Sequence, residues 1–246
     1  MKRLNWQLLL AIGLIAISTC IYLLHYAIWR DSHHILIYLV GDIAFVPAEV
    51  LLVTLILHRL LEGREKRSKL KKLNMVIGVF YSEVGTELME RLIAFDSNFE
   101  NVRSNLIPKT DWSFKDFIHL RKHLGSYGYE LKSIQGDMAS LKFFLVEHRA
   151  FLLRLLENPT LLEHESFTEL LWAVFHLEEE LTKRKSIDEL PGSDHKHLSG
   201  DMKRVYVLLI REWIGYMNHL RIDYPYLYSL AVRTNPFDPE AVPEVT

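Results

Sequence analysis

Between Arg3 and Arg30 lie 26 consecutive residues without a single Asp, Glu, Lys or Arg. No water-soluble fold of ordinary composition requires so long an uncharged run. Within it, Gln7 to Ile28 is apolar almost throughout, and at 1.5 Å per residue these 22 residues reach about 33 Å, close to the ~30 Å hydrocarbon core of a bilayer. Trp6 and Trp29 bracket the run, as indole rings do at the two interfaces. A cleaved signal peptide is the competing reading, since Lys2 and Arg3 make a suitable basic start and Ile17-Ser18-Thr19-Cys20 resembles a poor lipoprotein cleavage box. The apolar sequence continues well past Cys20, however, and exceeds the ~7–15 residues of a cleaved core. A retained span is the expectation.

A second apolar run, Ile35 to His58, follows almost at once. Its 15 Ile, Leu, Phe and Val residues favour insertion by roughly 5–9 kcal/mol, while Asp42 and Glu49, if ionised near the bilayer centre, oppose it by ~5–7 kcal/mol. Alone, the segment is close to break-even. It is expected to enter as a hairpin with the first span, with its acids neutral or facing protein. Pro47 removes one backbone donor and predicts a kink, with a re-entrant pair of half-helices as the alternative.

Flanking charge sets the expected orientation. Residues 59–72 carry Arg59, Arg64, Lys66, Arg67, Lys69, Lys71 and Lys72 against Glu62 and Glu65, a net of +5. Lys2 and Arg3 add to that side, whereas the connecting loop balances Arg30 with Asp31. The positive-inside tendency therefore predicts a multi-pass protein of the cell (inner) membrane with both termini cytoplasmic. The same basic residues are predicted to contact anionic lipid, at about 1 kcal/mol each.

The remaining 174 residues, 73–246, carry a net −7 and are enough for one domain with its own core. Strand signals are nearly absent. No proline interrupts 48–97, so the second span is expected to continue as a stalk helix to Phe95, with Leu70, Leu73, Ile77, Phe80 and Val84 as a packing seam. Further helices are predicted near 112–124 (with Asp111 as N-cap), 129–157, 165–184, 201–222 and 225–232. Residues 185–200 read as an exposed linker. The fold class is thus all-α: a transmembrane hairpin over 1–58 (spans about 7–28 and 35–58), a basic juxtamembrane segment and stalk over 59–97, a cytoplasmic helical bundle over 98–233, and a disordered acidic tail over 234–246.

GDIAFVP at 41–47, KLNMVIGVFYSEVGTELM at 72–89 and YPYLYSLAVRTNPF near the end resemble sequences of uncharacterised prokaryotic two-span membrane proteins. The resemblance spans most of the chain. It implies a helical cytoplasmic part and brings no activity and no site residues.

Composition excludes a disordered chain, a disulfide scaffold (one cysteine) and a basic nucleic-acid binder. No phosphate loop, zincin helix, paired-cysteine motif or Ca²⁺ loop is present. Three pairs four residues apart share a helix face: His119 with His123, His176 with Glu180, and His219 with Asp223. A haemerythrin-like or ferritin-like centre would turn such pairs inward. Their polar sequence neighbours predict solvated histidines instead, so no metal, cofactor or catalytic residue is expected.

The intramembrane acids are the sharpest signal, because ionisable groups in spans are costly and mark pathways or partners. Folding the hairpin about residue 32 sets Asp42 level with Tyr22, and Tyr38 level with Tyr26, with His25 one turn away. Tyr22, His25, Tyr26, Tyr38 and Asp42 are expected to form one polar cluster, leaving Glu49 without a partner inside the hairpin. His33 and His34 beside Asp31 read as a polar turn. The expected function is a homo-oligomeric, non-enzymatic membrane protein whose cytoplasmic domain serves interaction or regulation, its partners being the bilayer, further copies of itself and an unidentified cytoplasmic protein. The alternative is a small ion- or proton-conducting assembly using Glu49 and Asp42.

Overall fold

A computed structural model describes residues 2–125, 127–187 and 189–244. The described residues are helical or irregular, with no strand beyond a single isolated bridge between Asp96 and Leu131. Contacts divide the chain into two units, Met1–Lys66 and Arg67–Thr246.

The N-terminal unit consists of α1 (Lys2–Trp29) and most of the apolar part of α2 (Ser32–Phe80). Arg30, with a left-handed φ of 51°, makes the turn between them. Asp31 caps α2: its Oδ1 accepts from the backbone N–H groups of His33 and His34 at 3.0 and 3.2 Å, which satisfies two of the orphan donors at a helix start. The expected polar turn is therefore a capped helix entrance. Pro47 lies within α2, which continues as a helix past it, so no re-entrant break forms. Two helices are long and apolar enough to cross a membrane, and none of their most apolar windows is buried by protein.

The C-terminal unit has a core of its own. The last turns of α2 give way to a π-helical turn, Tyr81–Gly85, and then to α3 (Thr86–Ile93). The helical path toward Phe95 is thus interrupted in register. Thr86 contributes directly to the wide turn, since its Oγ1 donates to Tyr81 O at 2.8 Å. Gly85 is required there because a Cβ would lie 2.6 Å from the Tyr81 ring. Leu73, Ile77, Phe80 and Val84 are buried as the seam predicts, while Leu70 stays outside it.

After the short α4 (Glu100–Arg103), α5 (Phe114–Gly125) starts two residues later than predicted, and Asp111 is not its cap. Asp116 reaches back instead, accepting from Ser113 N at 2.6 Å and Ser113 Oγ at 2.7 Å, the reciprocal half of a capping box. These bonds hold the Asp116 carboxyl below the usual carboxylate range. The next helix, α6 (Met138–Leu156), begins nine residues later than 129. Residues ahead of it are extended and pair with the end of α3, Lys132 N donating to Phe95 O at 2.8 Å. Asp137 then caps α6 by accepting from Ser140 N.

A short α7 (Pro159–Leu162) leads to α8 (Glu165–Lys183), α9 (Gly192–Asp223) and α10 (Pro225–Arg233). Here the expected linker 185–200 shrinks, because α9 starts at Gly192. Arg184 explains the early start: its guanidinium donates to both oxygens of Asp194 at 2.7 Å and to Glu180 Oε2 at 2.7 Å, pinning the end of α8 to the first turn of α9. α9 is the central element, packing against α3, α5, α8 and α10. Its Met202, Val205, Tyr206, Leu209 and Met217 are fully buried. The tail is anchored at its beginning rather than free from 234: Asn235 Nδ2 donates to Leu106 O at 3.0 Å, and Phe237 is buried edge-on to Trp213.

Two glycines give opposite expectations. A Cβ at Gly136 would come within 2.7 Å of the buried Phe95 ring, so Gly136→Ala is expected to destabilise the fold by roughly 1–3 kcal/mol. A Cβ at Gly215, inside α9, meets nothing within 4 Å, so Gly215→Ala should add about 0.5–1 kcal/mol. Thermal unfolding of both variants checks the pair of signs.

Candidate functional site

The polar residues expected to cluster in the N-terminal unit are only partly brought together. His25 is half-buried between the rings of Trp29, at 4.6 Å, and His34, at 6.0 Å and nearly parallel; His34 in turn meets Tyr38 at 4.7 Å. Tyr22, His25, His34, Ile35 and Tyr38 surround a cavity of about 280 Å³. His34 therefore takes the place expected for Asp42. Tyr26 lies outside the cavity, and among the described residues Asp42 and Glu49 form no hydrogen bond or ion pair.

In the basic collar, Arg59, Arg64 and Lys66 belong to the N-terminal unit and are exposed, as are Lys69, Lys71 and Lys72 of the C-terminal unit; the Arg67 side chain lies outside the described residues. Lys69 and Lys71 engage protein. Lys69 pairs with Glu163 at 3.5 Å, and Lys71 lies 5.8 Å from the centre of the Tyr224 ring. Both contacts are exposed, where such pairs contribute little.

The C-terminal unit holds an apolar pocket of about 520 Å³ between the end of α2, α9 and α10. The π-turn shapes one wall. It aims Tyr81 at α9, where the hydroxyl donates to Leu209 O at 2.8 Å and the ring stacks on Tyr216 at 5.2 Å. Gly78 lets Tyr216 approach, since a Cβ there would sit 3.2 Å from its hydroxyl. Met75 and Val79 complete the rim from α2, with Leu227 and Ala231 from α10. The 73–81 stretch, apolar almost all round, thus faces the core with Leu73, Ile77 and Phe80 and the pocket with Met75 and Val79.

His219 also lines this pocket, which corrects the solvated position expected from its sequence neighbours. Its side chain is 11% exposed, Nδ1 lies 2.9 Å from Asp223 Oδ2, and Nε2 is buried without a hydrogen-bond partner. Burial lowers its pKa, with the nearby Asp223 carboxylate opposing that shift. A largely apolar pocket with one free imidazole nitrogen can accept an apolar ligand bearing a single hydrogen-bonding group.

His119 and His123 are exposed, as expected, and His123 Nε2 lies 3.3 Å from Asn105 Nδ2. The third pair behaves differently. His176 and Glu180 on α8 face His197 and Asp201 on α9: His197 Nε2 is 3.3 Å from Asp201 Oδ2 and 3.5 Å from Glu180 Oε2, and His176 Nε2 is 3.6 Å from the same Asp201 oxygen. Asp201 is buried, and its Oδ1 accepts from Arg204 at 3.0 Å. The Arg184 guanidinium holds both Glu180 and Asp194 below the usual carboxylate range and is itself pushed up by them. His197 falls inside the stretch expected to be linker and Asp201 just past its end, so the sequence reading split this pair, although it repeats the four-residue spacing of the other three.

Two family models match the chain. One, described as "MJ1433, N-terminal helical domain", covers residues 2–61; the other, "Uncharacterized protein MJ1433, C-terminal helical domain", covers residues 69–233. The chain belongs to the MJ1433 family. Among curated proteins, the Methanocaldococcus jannaschii protein MJ1433 is 45% identical over 242 residues, which cover 98% of this chain and 97% of that one. No solved structure matches. The two MJ1433-family matches flank the place where the chain divides into its two units.

The His219 environment predicts a pH dependence. Because folding lowers its pKa, the unfolded chain takes up the proton first as pH falls. Stability contributed by neutral His219 is full above about pH 6.5 and is lost below it. The Tm advantage of the natural protein over His219→Gln should therefore shrink between about pH 7.5 and 5.5, read by thermal unfolding in matched buffers.

Proposed function

We propose that this MJ1433-family chain is a two-span membrane protein that self-associates through its N-terminal helices and uses its helical C-terminal domain for interaction or regulation rather than catalysis. The reading rests on one observation: among the described side chains of α1 and the first half of α2, the Leu, Ile, Val and Phe residues other than the half-buried Ile35 are exposed. Such a surface is far larger than the apolar patches that water-soluble monomers tolerate, and a bilayer is the solvent that matches it. The collar of Arg59, Arg64, Lys66, Arg67, Lys69, Lys71 and Lys72 supports a cytoplasmic position for both termini by the positive-inside tendency and offers anionic lipids a row of cations.

Self-association follows from Asp42 and Glu49. Seven residues apart, they share one helix face, and neither has a hydrogen-bond or ion-pair partner among the described residues. A carboxyl in hydrocarbon is costly unless it is protonated, hydrogen-bonded or wet, and a second copy supplies either a partner or a wet axis. The same two residues support a second reading, a small ion- or proton-conducting assembly. That reading requires liposome flux that Glu49→Gln abolishes.

The experiment for the principal reading uses isolated membranes and mild detergent. The full chain should resist alkaline extraction and then run as a multiple of its 28.9 kDa mass, with Glu49→Leu shifting the distribution toward monomer. Release into the alkaline supernatant, or a strictly monomeric natural protein, would contradict it.

A further inference from the structure

We propose that His176, His197 and Asp201 bind one divalent first-row transition-metal ion between α8 and α9. Each helix offers a histidine and a carboxylate one turn apart, His176 with Glu180 and His197 with Asp201, and Arg184 fixes the helix ends so that the two pairs face each other. One ligand atom from each of the three residues lies within 4.8 Å of the other two.

The spacing suits a shared ion. For metal–ligand bonds of about 2.0–2.2 Å, the edges of a tetrahedron are ~3.3–3.6 Å. The two edges meeting at Asp201 Oδ2 are 3.3 Å to His197 and 3.6 Å to His176. The third edge, between the two imidazoles, is at most 4.8 Å, and both rings are about half-exposed.

Asp201 supplies the independent observation. Its side chain is 5% exposed, and while Oδ1 is held by Arg204, Oδ2 has no hydrogen-bond partner despite the nearby imidazole nitrogens. A buried carboxylate oxygen is costly to leave unsatisfied. Neither imidazole is aligned to donate to it, whereas an ion between the three groups would satisfy it.

The donor set narrows the ion. Two imidazole nitrogens and one carboxylate oxygen are ligands for zinc, iron, cobalt or nickel, and a poor match for the all-oxygen shells of Mg²⁺ and Ca²⁺. Three protein ligands at a solvent-facing cleft leave a fourth position, which Glu180 Oε2, 3.5 Å from His197 Nε2, or water can fill. Around the site, Glu180, Asp194 and Asp201 carry three negative charges against the two guanidiniums of Arg184 and Arg204, so with neutral histidines the cluster attracts a cation. Those guanidiniums act as outer supports, holding Glu180 and the second Asp201 oxygen in place. In this role the ion ties α8 to the first turns of α9 and is independent of how the N-terminal helices are embedded.

The test uses untagged full-length protein in detergent, stripped with EDTA and dialysed against Zn²⁺, with bound metal measured by elemental analysis. One zinc per chain and a raised Tm are expected. His176→Ala and His197→Ala, both at exposed positions, should each weaken binding at least tenfold, while the double variant His119→Ala/His123→Ala should bind as the natural protein does. Co²⁺ should give a visible-region absorption of a low-symmetry nitrogen–oxygen site that the first two variants lose. Absence of stoichiometric zinc, or stoichiometric zinc that survives both single substitutions, would overturn the proposal. So would a Tm that responds to protonation of these histidines but not to metal, the signature of plain imidazolium–carboxylate pairs.

Discussion

The apolar face of α9 is the surface on which the rest of the C-terminal unit is assembled. Met202, Val205, Tyr206, Leu209 and Met217 are sequestered from water only because α3, α5, α8 and α10 each lay an apolar stripe against them. Burial of one Leu, Val or Met contributes about 1.5–3 kcal/mol, so four such residues with Tyr206 between them, and comparable stripes on the neighbouring helices, offset much of the chain entropy of folding. The polar features are secondary to this packing. Arg184 can grip Asp194 because α8 and α9 already lie side by side, and Tyr81 can reach Leu209 O because the π-turn puts its ring over Gly85.

The N-terminal unit obeys the opposite rule. There the apolar side chains point outward on every side, and the residues that do meet are polar or aromatic: His25, Trp29, His34 and Tyr38 at the turn end of the two helices. An outward apolar surface with polar contacts inside is what a hydrocarbon solvent selects. On the membrane reading proposed above, the two units are built against two different solvents, and each is helical for its own reason. In one, intrahelical bonds satisfy the backbone without water. In the other, amphipathic stripes pair into a core.

Hydrophobic periodicity made the helices legible from the sequence. Phe167, Leu170, Leu171, Val174 and Leu181 form one stripe, and all are buried. The boundaries were less legible because contacts reaching beyond a single helical turn set them. Nothing local to residues 185–200 says that Arg184 will lock onto Asp194 and start α9 at Gly192, and nothing local to 129–137 says that Lys132 will donate to Phe95 O. The same errors concealed the chemistry. Reading 185–200 as linker removed His197 from view, so His176 and Glu180 appeared as a solvated surface pair, and His219 appeared solvated because the α2 face that lines its pocket is far from it in sequence. The acids of the second apolar run were visible at once, and among the described residues neither meets a hydrogen-bonding partner.

The most direct measurement of the account is solvent accessibility along the two apolar helices of the protein in its membrane. Single spin labels placed in turn across residues 8–29 and 35–58 should be reached by dissolved oxygen and shielded from a water-soluble relaxation agent, with access returning at both ends of each helix. Uniform access of the water-soluble agent along either stretch would contradict the account, because that helix would then need a protein surface, and not a bilayer, to cover it.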